Sequence, residues 1–320
     1  MAKTKSKTGT ISYEDNQLFS QLCGPRNAHL NKLENFLDIT LAVKGNKLKL
    51  DGAPADINIA LNILDALWHK LENGGDILMT DVETALRFAL NEEGSPSENP
   101  AGVAPIKTKK KPITPRSPNQ VLYIDTIREH EMTFGLGPAG TGKTYLAVAL
   151  GVEMFLKGGV ERLIFTRPAV EAGEKIGFLP GDMKEKVDPY LRPIYDALHD
   201  MMPLDLVEKK MVLGDIEIAP LAFMRGRTLA HSFVILDEAQ NTTSAQMKMF
   251  LTRMGEGSRM VVTGDPTQSD LPPSQASGLN EALVFLKDLK EIGVINFTGD
   301  DVVRHHLVAK IIHAYDSRRT

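Results

Sequence analysis

Between Met132 and Gly299 the chain repeats one arrangement, a short apolar run followed by a longer stretch with apolar positions at helical spacing. The runs are MTFGL (132–136), RLIFTR (162–167), IEIAP (216–220), FVILDE (233–238), RMVVTGD (259–265) and VINFTG (294–299). Short runs rich in Val, Ile and Phe predict strands buried on both faces. Their alternation with helical stretches predicts an α/β domain, a mostly parallel sheet with helices on both sides. Ligands of such sheets bind beyond the carboxyl ends of the strands.

The first third of the chain has a different rhythm. HLNKLENFL sets Leu30, Leu33 and Leu37 at helical spacing, and DITLAVKGNKLKLDG predicts two strands around Gly45-Asn46. In PADINIALNILDALWHKLENG an apolar stripe runs through Ile57, Leu61, Leu64, Leu67 or Trp68, and Leu71, ending at Gly74. Thr80-x-x-Glu83 reads as a capping box ahead of Val82, Leu86 and Leu90. The stretch GSPSENPAGVAPIKTKKKPITPRSPN holds six prolines, two glycines and no apolar periodicity, which predicts an extended linker. The predicted organisation is a disordered tail (1–17), a small α+β module (18–93), a Pro/Lys-rich linker (94–119) and the α/β domain (120–320).

Composition changes this picture in three places. At 320 residues the chain is long for one domain, and 42% hydrophobic with 24% charged residues is ordinary for a globular protein. The net charge of −4 argues against a wholesale nucleic-acid coat, yet the linker's four lysines (107, 109, 110, 111) and Arg116 against Glu98 give a local +4. That run is either a phosphate-backbone contact or a solubilising segment. Cys23 is the single cysteine, so neither an intrachain disulfide nor a multi-cysteine zinc site is available, and the residue reads as a small buried hydrophobe. No apolar run reaches transmembrane length and the N-terminus lacks a hydrophobic signal core, which predicts a cytoplasmic protein.

Candidate chemistry begins directly after the first strand of the α/β domain. Gly137, Pro138, Ala139, Gly140, Thr141, Gly142, Lys143 and Thr144 fit G-x-x-x-x-G-K-[ST] at every position, between a predicted strand and a predicted helix. The glycines let successive amide N–H groups converge on phosphate oxygens at the positive end of the following helix. Lys143 is expected on the β- and γ-phosphates and Thr144 on Mg2+. The predicted ligand is a nucleoside triphosphate with its magnesium. Asp237 and Glu238 end another strand, where Asp237 is expected at the metal and Glu238 as the base that activates water. Gln268, in VVTGDPTQ, is expected near the γ-phosphate, whereas Thr263 and Asp265 also read as caps or turn formers. Gln120, ahead of the loop, offers a donor and an acceptor to an adenine edge or caps its helix.

Taken together, SPNQ…GPAGTGKT, TRPAVEAGEKIGFLPGDMKEKVDPYLRPIYDAL, IAPLAFMRGRT, VILDEAQNTT, VTGDPTQ and DVVRHHLVAKIIHAY resemble the PhoH family over roughly residues 107–316. That family is similar to the ATPase core of superfamily-one helicases. The resemblance implies a RecA-like P-loop core, ATP and Mg2+ as ligands, a link to single-stranded RNA, and the metal-dependent endoribonuclease of ribosomal RNA maturation as a partner. The N-terminal module resembles a KH-type RNA-binding fold, whose G-x-x-G loop clamps a nucleic-acid backbone. Here the loop is Gly24-Pro25-Arg26-Asn27, with Asn27 for the second glycine, and RNA contact and plain packing are both open. Arg304 stands in the place of a late helicase arginine motif, and Arg225 with Arg227 resembles a family motif, so Arg304 and then Arg225 are the expected catalytic arginines. Arg167, Lys175 and Lys184 line an RNA path or a solvated surface. A helicase places ATP between two cores, and this chain has room for one, so a neighbouring protomer is expected to supply the second wall in a homo-oligomer, as a hexameric ring. The expected activity is Mg-dependent ATP hydrolysis in an RNA helicase or RNP remodeller. A nucleotide-gated scaffold with slow turnover is the alternative, and the water-activating Glu238 argues against a small-molecule kinase.

Overall fold

The computed structural model describes residues 7–90, 104–168, 183–272 and 275–302. Its residues fall into two compact units, Met1–Ala104 with Arg116–Pro118, and Pro105–Pro115 with Asn119–Thr320.

In the first unit β1 (Lys7–Ser12) is followed by α1 (Asn16–Cys23), α2 (Ala28–Leu37), β2 (Thr40–Lys44), β3 (Lys47–Gly52), α3 (Pro54–Glu72) and α4 (Met79–Leu90). The sheet is antiparallel in the order β1-β3-β2. Leu48 and Leu50 point from alternate positions of β3 into a core shared with Leu22, Leu30, Leu33, Ile57 and Leu64. The expected disordered tail is corrected here, because Lys7–Ser12 pairs along its whole length with β3. Thr8, Thr10 and Ile11 favour a strand, and Tyr13 stacks on Phe19 and packs against Trp68. The three lysines ahead of them disguise this short run as a solvated tail. The capping box is also corrected. α4 already starts at Met79, Asp81 accepts from the Leu78 amide at 2.7 Å, and Glu83 is taken by Lys32 at 2.8 Å.

Between α1 and α2 the chain turns through Gly24 (φ 73°), Arg26 (φ 52°) and Asn27 (φ 59°). Asn27 accepts the left-handed backbone that a glycine would otherwise supply, whereas Arg26 adopts it at a steric cost.

The second unit opens with a small hairpin, β4 (Ile106–Lys107) and β5 (Pro112–Ile113), then α5 (Pro118–Glu129). This corrects the extended linker over its second half. Ile106 and Ile113 enter the core, the Lys107 amide donates to Glu153 Oε1 at 2.9 Å, and Lys111 pairs with Asp200. Two isolated isoleucines among prolines and lysines carry no periodicity, which hides the hairpin from the sequence.

β6 (Met132–Leu136), α6 (Lys143–Leu156), β7 (Arg162–Arg167), α7 (Met183–Met201), α8 (Leu204–Leu213), β8 (Ile216–Pro220), β9 (Ser232–Leu236), α9 (Ser244–Leu251), β10 (Arg259–Gly264), α10 (Gly278–Leu286) and β11 (Ile292–Asn296) complete the unit. The strands form one six-stranded sheet in the order β11-β6-β10-β9-β7-β8, parallel at every junction. Strand alternation splits the core in two. Phe165, Phe233, Ile235 and Val261 face α5, α6 and α7, while Ile164, Val234, Leu236 and Val262 face α9 and α10. α6 is buried along most of its length, and Gly151 lets it approach the sheet, since a Cβ there would meet Phe233 at 2.8 Å. β10 lies between β6 and β9, the RecA-like order that brings the turn after β6 and the acids after β9 to one edge of the sheet.

Candidate active site at the carboxyl edge of the sheet

The turn after β6 is built around backbone angles that only glycine accepts easily. Gly137 has φ 137°, and a Cβ there would lie 2.4 Å from the Phe297 carbonyl oxygen. Gly140 and Gly142 follow at φ 88° and 85°. The Gly137 amide donates to the Gly264 carbonyl at 3.1 Å, which ties the loop to the end of β10. Gln120 is buried and donates through Nε2 to the Thr141 carbonyl at 2.9 Å, so it braces the loop from α5.

Lys143 opens α6, and its Nζ donates to the carbonyls of Gly137 at 2.6 Å and Pro138 at 2.8 Å. Burial pushes its ammonium below the ordinary lysine range, while the charges of Asp237, Asp265 and Glu238 act the other way. Lys143 is thus a desolvated cation with acids around it.

Strand register sets the acids. Pairing Leu236 with Val262 on one side and with Thr166 on the other carries Asp237 to a position between β10 and β7. The Asp237 amide donates to the Thr166 carbonyl at 2.9 Å. Asp237 Oδ1 accepts from Thr144 Oγ1 at 2.6 Å and from Thr263 Oγ1 at 2.7 Å. The next residue, Glu238, takes a left-handed backbone at φ 53°. Its Oε1 meets Arg167 Nη2 at 2.7 Å, and its Oε2 accepts from Gln240 Nε2. Gln240 Oε1 accepts from the Asp265 amide at 3.0 Å, which links Glu238 to the loop after β10.

That loop is a turn, with Asp265 Oδ1 accepting from the Thr267 amide at 2.9 Å and hydroxyl at 2.7 Å, and the Gln268 amide donating to the Asp265 carbonyl at 3.1 Å. Gln268 is exposed and shares a pocket wall with Gly137, Pro138, Thr267 and Phe297.

The fold therefore gathers Gly137–Thr144, Gln120, Asp237, Glu238 and Gln268. Arg225 is exposed beyond the turn that follows β8, and β8 is the edge strand four places from β6 in the sheet order. Arg227 is bound to Glu217 through both nitrogens at 2.6 and 2.7 Å, so its role is structural. Arg304 and Lys175 lie outside the described residues. Sequence reasoning read Thr263 as a cap or turn former and passed over Gln240 and the pairing of Arg167. Thr263 is the last residue but one of β10, the strand between the loop strand and the acid strand, which is a signal only once the sheet order is known.

The donor set suits magnesium. Thr144 and Asp237 bring a hydroxyl and a carboxylate within 2.6 Å of each other, two hard oxygens for an ion that keeps water and phosphate as its other ligands. The glycine cradle and the buried Lys143 suit a polyphosphate.

Comparison with known proteins identifies relatives of the chain. A family described as PhoH-like protein matches residues 112–316. The chain is 48% identical to the PhoH-like protein of Mycobacterium tuberculosis, over 92% of this chain and 84% of that protein. It is 48% identical to that of Bacillus subtilis over 93% of each, and 43% identical to Protein PhoH of Escherichia coli over 67% of this chain and 61% of that one. The solved Pif1 helicase of Candida albicans aligns at TM-score 0.30 and 14% identity, over 57% of this chain and 40% of that one, too slight a likeness to argue from.

Proposed function

This chain belongs to the PhoH family and carries a P-loop nucleoside-triphosphatase core, and on that premise we propose that it hydrolyses ATP with Mg2+ and couples hydrolysis to single-stranded RNA. The observation that carries the reading is the Thr144–Asp237 hydrogen bond behind the glycine cradle, with Glu238 as the next residue.

When bound, the metal neutralises charge on the β- and γ-phosphates. The loop amides and Lys143 hold the phosphates, and Thr144 and Asp237 supply the protein oxygens for the ion. Glu238 takes the proton of the attacking water as a bond forms to the γ-phosphorus, and the bond to the bridging β–γ oxygen breaks to leave ADP and phosphate. Gln268, on the wall it shares with Gly137 and Pro138, orients that water or reports loss of the phosphate.

The RNA half of the reading rests on the first unit. Its Gly24–Asn27 turn exposes Arg26, and the β2–β3 hairpin exposes Lys44, Lys47 and Lys49. Arginine and lysine on an exposed turn and hairpin suit a phosphate backbone.

The test is steady-state ATP hydrolysis with and without oligouridylate, in wild type and Glu238→Gln. The expected result is a loss of about 10²–10⁴ in kcat for the variant with ATP still bound, and stimulation of the wild type by RNA that Arg26→Ala weakens. Unchanged turnover in Glu238→Gln would remove Glu238 as the base, and no turnover in the wild type would remove the hydrolytic assignment.

A further inference from the structure

Glu238, the base in the reading above, is held by two partners in this structure. Arg167 Nη2 lies 2.7 Å from Oε1, and Gln240 donates to Oε2. Arg167 is the last residue of β7, and β7 borders β9 on the side away from the P-loop strand β6. The guanidinium therefore holds Oε1 from the side of β9 away from the strand that carries the phosphate cradle. Gln240 completes the hold and connects it to the Asp265 amide, at the start of the loop bearing Gln268. Backbone strain belongs to the same arrangement, since Glu238 sits at φ 53° without being glycine.

A general base acts by presenting its carboxylate to the water it deprotonates. We propose that the Arg167–Glu238 ion pair is a latch on hydrolysis, opened when a phosphate group takes the Arg167 guanidinium. It rests on the hydrolytic reading and adds the regulation of that site. Arg167 and Glu238 side chains retain 21% and 38% of their exposure, so the pair is reachable and of the weak, half-solvated kind. Guanidinium binds phosphate oxygens bidentately, which makes phosphate an effective competitor for the contact to Oε1. The competing group is either the nucleotide γ-phosphate or a nucleic-acid backbone phosphate, with one chemistry and two sources.

A double-mutant cycle separates them. Wild type, Arg167→Gln, Glu238→Gln and the double variant are melted alone, with ADP and Mg2+, with a non-hydrolysable ATP analogue and Mg2+, and with oligouridylate. The two substitutions are expected to be non-additive in the protein alone and with ADP, and additive in whichever arm supplies the releasing phosphate. Additivity with the ATP analogue identifies the γ-phosphate, and additivity with oligouridylate identifies the nucleic acid. Coupling that persists in every arm overturns the latch, as does additivity in the protein alone.

Kinetics give an independent reading. Arg167→Gln is expected to hydrolyse ATP at least as fast as wild type, severalfold faster without RNA and with KM unchanged if RNA is the releaser, and with KM raised severalfold if the γ-phosphate is. Arg167→Lys, which keeps the charge, should stay at the wild-type rate. A drop of tenfold or more in Arg167→Gln, rescued by Arg167→Lys, would mean that the arginine is required for turnover and the latch is wrong. Failure of the parent reading looks different, with wild-type melting unmoved by ATP and Mg2+ and no turnover in any variant. The latch then falls with it.

Discussion

A methyl group at position 137 would meet the Phe297 carbonyl oxygen at 2.4 Å and would have to sit at φ 137°, so neither space nor backbone tolerates it. Gly137→Ala should cost about 1–3 kcal/mol of stability from strain alone and abolish nucleotide binding, read by urea unfolding and by fluorescent-nucleotide titration. Retained binding at normal stability would contradict the cradle described here. Lys143 makes the opposite trade. Burial lowers its pKa, so the folded chain binds that proton less readily than the unfolded chain does. Its contribution to stability therefore rises with pH between the lowered folded value and the ordinary unfolded one, and below that window the charged lysine is a net cost. Lys143→Met should thus lose nucleotide binding at pH 7 without lowering the melting temperature, whereas a large destabilisation would mean that the loop contacts outweigh desolvation. Thr263→Val tests the acid. It leaves buried Asp237 Oδ1 with Thr144 alone, and about 1–3 kcal/mol of stability should go with the lost hydroxyl.

Among the elements, the β4–β5 hairpin is where basic residues of the Pro/Lys-rich stretch find acids. Asp200 receives Lys111 Nζ and the Tyr145 hydroxyl, each at 2.5 Å, and Tyr145 immediately follows Thr144 of the glycine-rich loop. The Lys111 hydrogen bond, and after it that of Tyr145, holds the Asp200 carboxyl below the usual range. A depressed carboxylate contributes stability above its unfolded pKa, about 3.9, and loses it as pH falls through the folded value. Asp200 is partly solvated, so Asp200→Asn should cost only about 0.5 kcal/mol at pH 7. The gap between variant and wild type should close on acidification, as measured by melting at pH 7, 4 and 3. The central strands were legible in the sequence because each is buried on both faces and so reads as an unbroken apolar run, and the turn after β6 was legible because glycine, lysine and threonine have fixed spacing there. β1 and the β4–β5 hairpin were not, because each relies on one or two apolar side chains set among lysines and prolines, and their partners lie far along the chain. Gln240 and Arg167 were hidden for a related reason. Their meaning comes from register between neighbouring strands, which no local pattern encodes.

At the scale of the whole molecule, the second unit carries its phosphate cradle on β6 and its exposed Arg225 after β8, four strands across the same sheet. One sheet cannot fold back to bring those two together, but a second copy can bring its own Arg225 to the cradle of the first. We propose a head-to-tail homo-oligomer in which a neighbour finishes each site, and such contacts give a ring where the rotation closes. An arginine at the γ-phosphate is worth about 10³–10⁵ in rate, so a protomer without its neighbour should be nearly inactive, and specific activity should rise with protein concentration as oligomers form. Complementation is the sharper test. Arg225→Ala has an intact cradle and base but offers no arginine, while Glu238→Gln offers the arginine but has no base. Each should be inactive alone, and mixing them should restore hydrolysis, because an Arg225→Ala protomer beside a Glu238→Gln protomer has one complete site between them. If the mixture stays as inactive as its components while sedimentation shows mixed oligomers, Arg225 does not act across the interface.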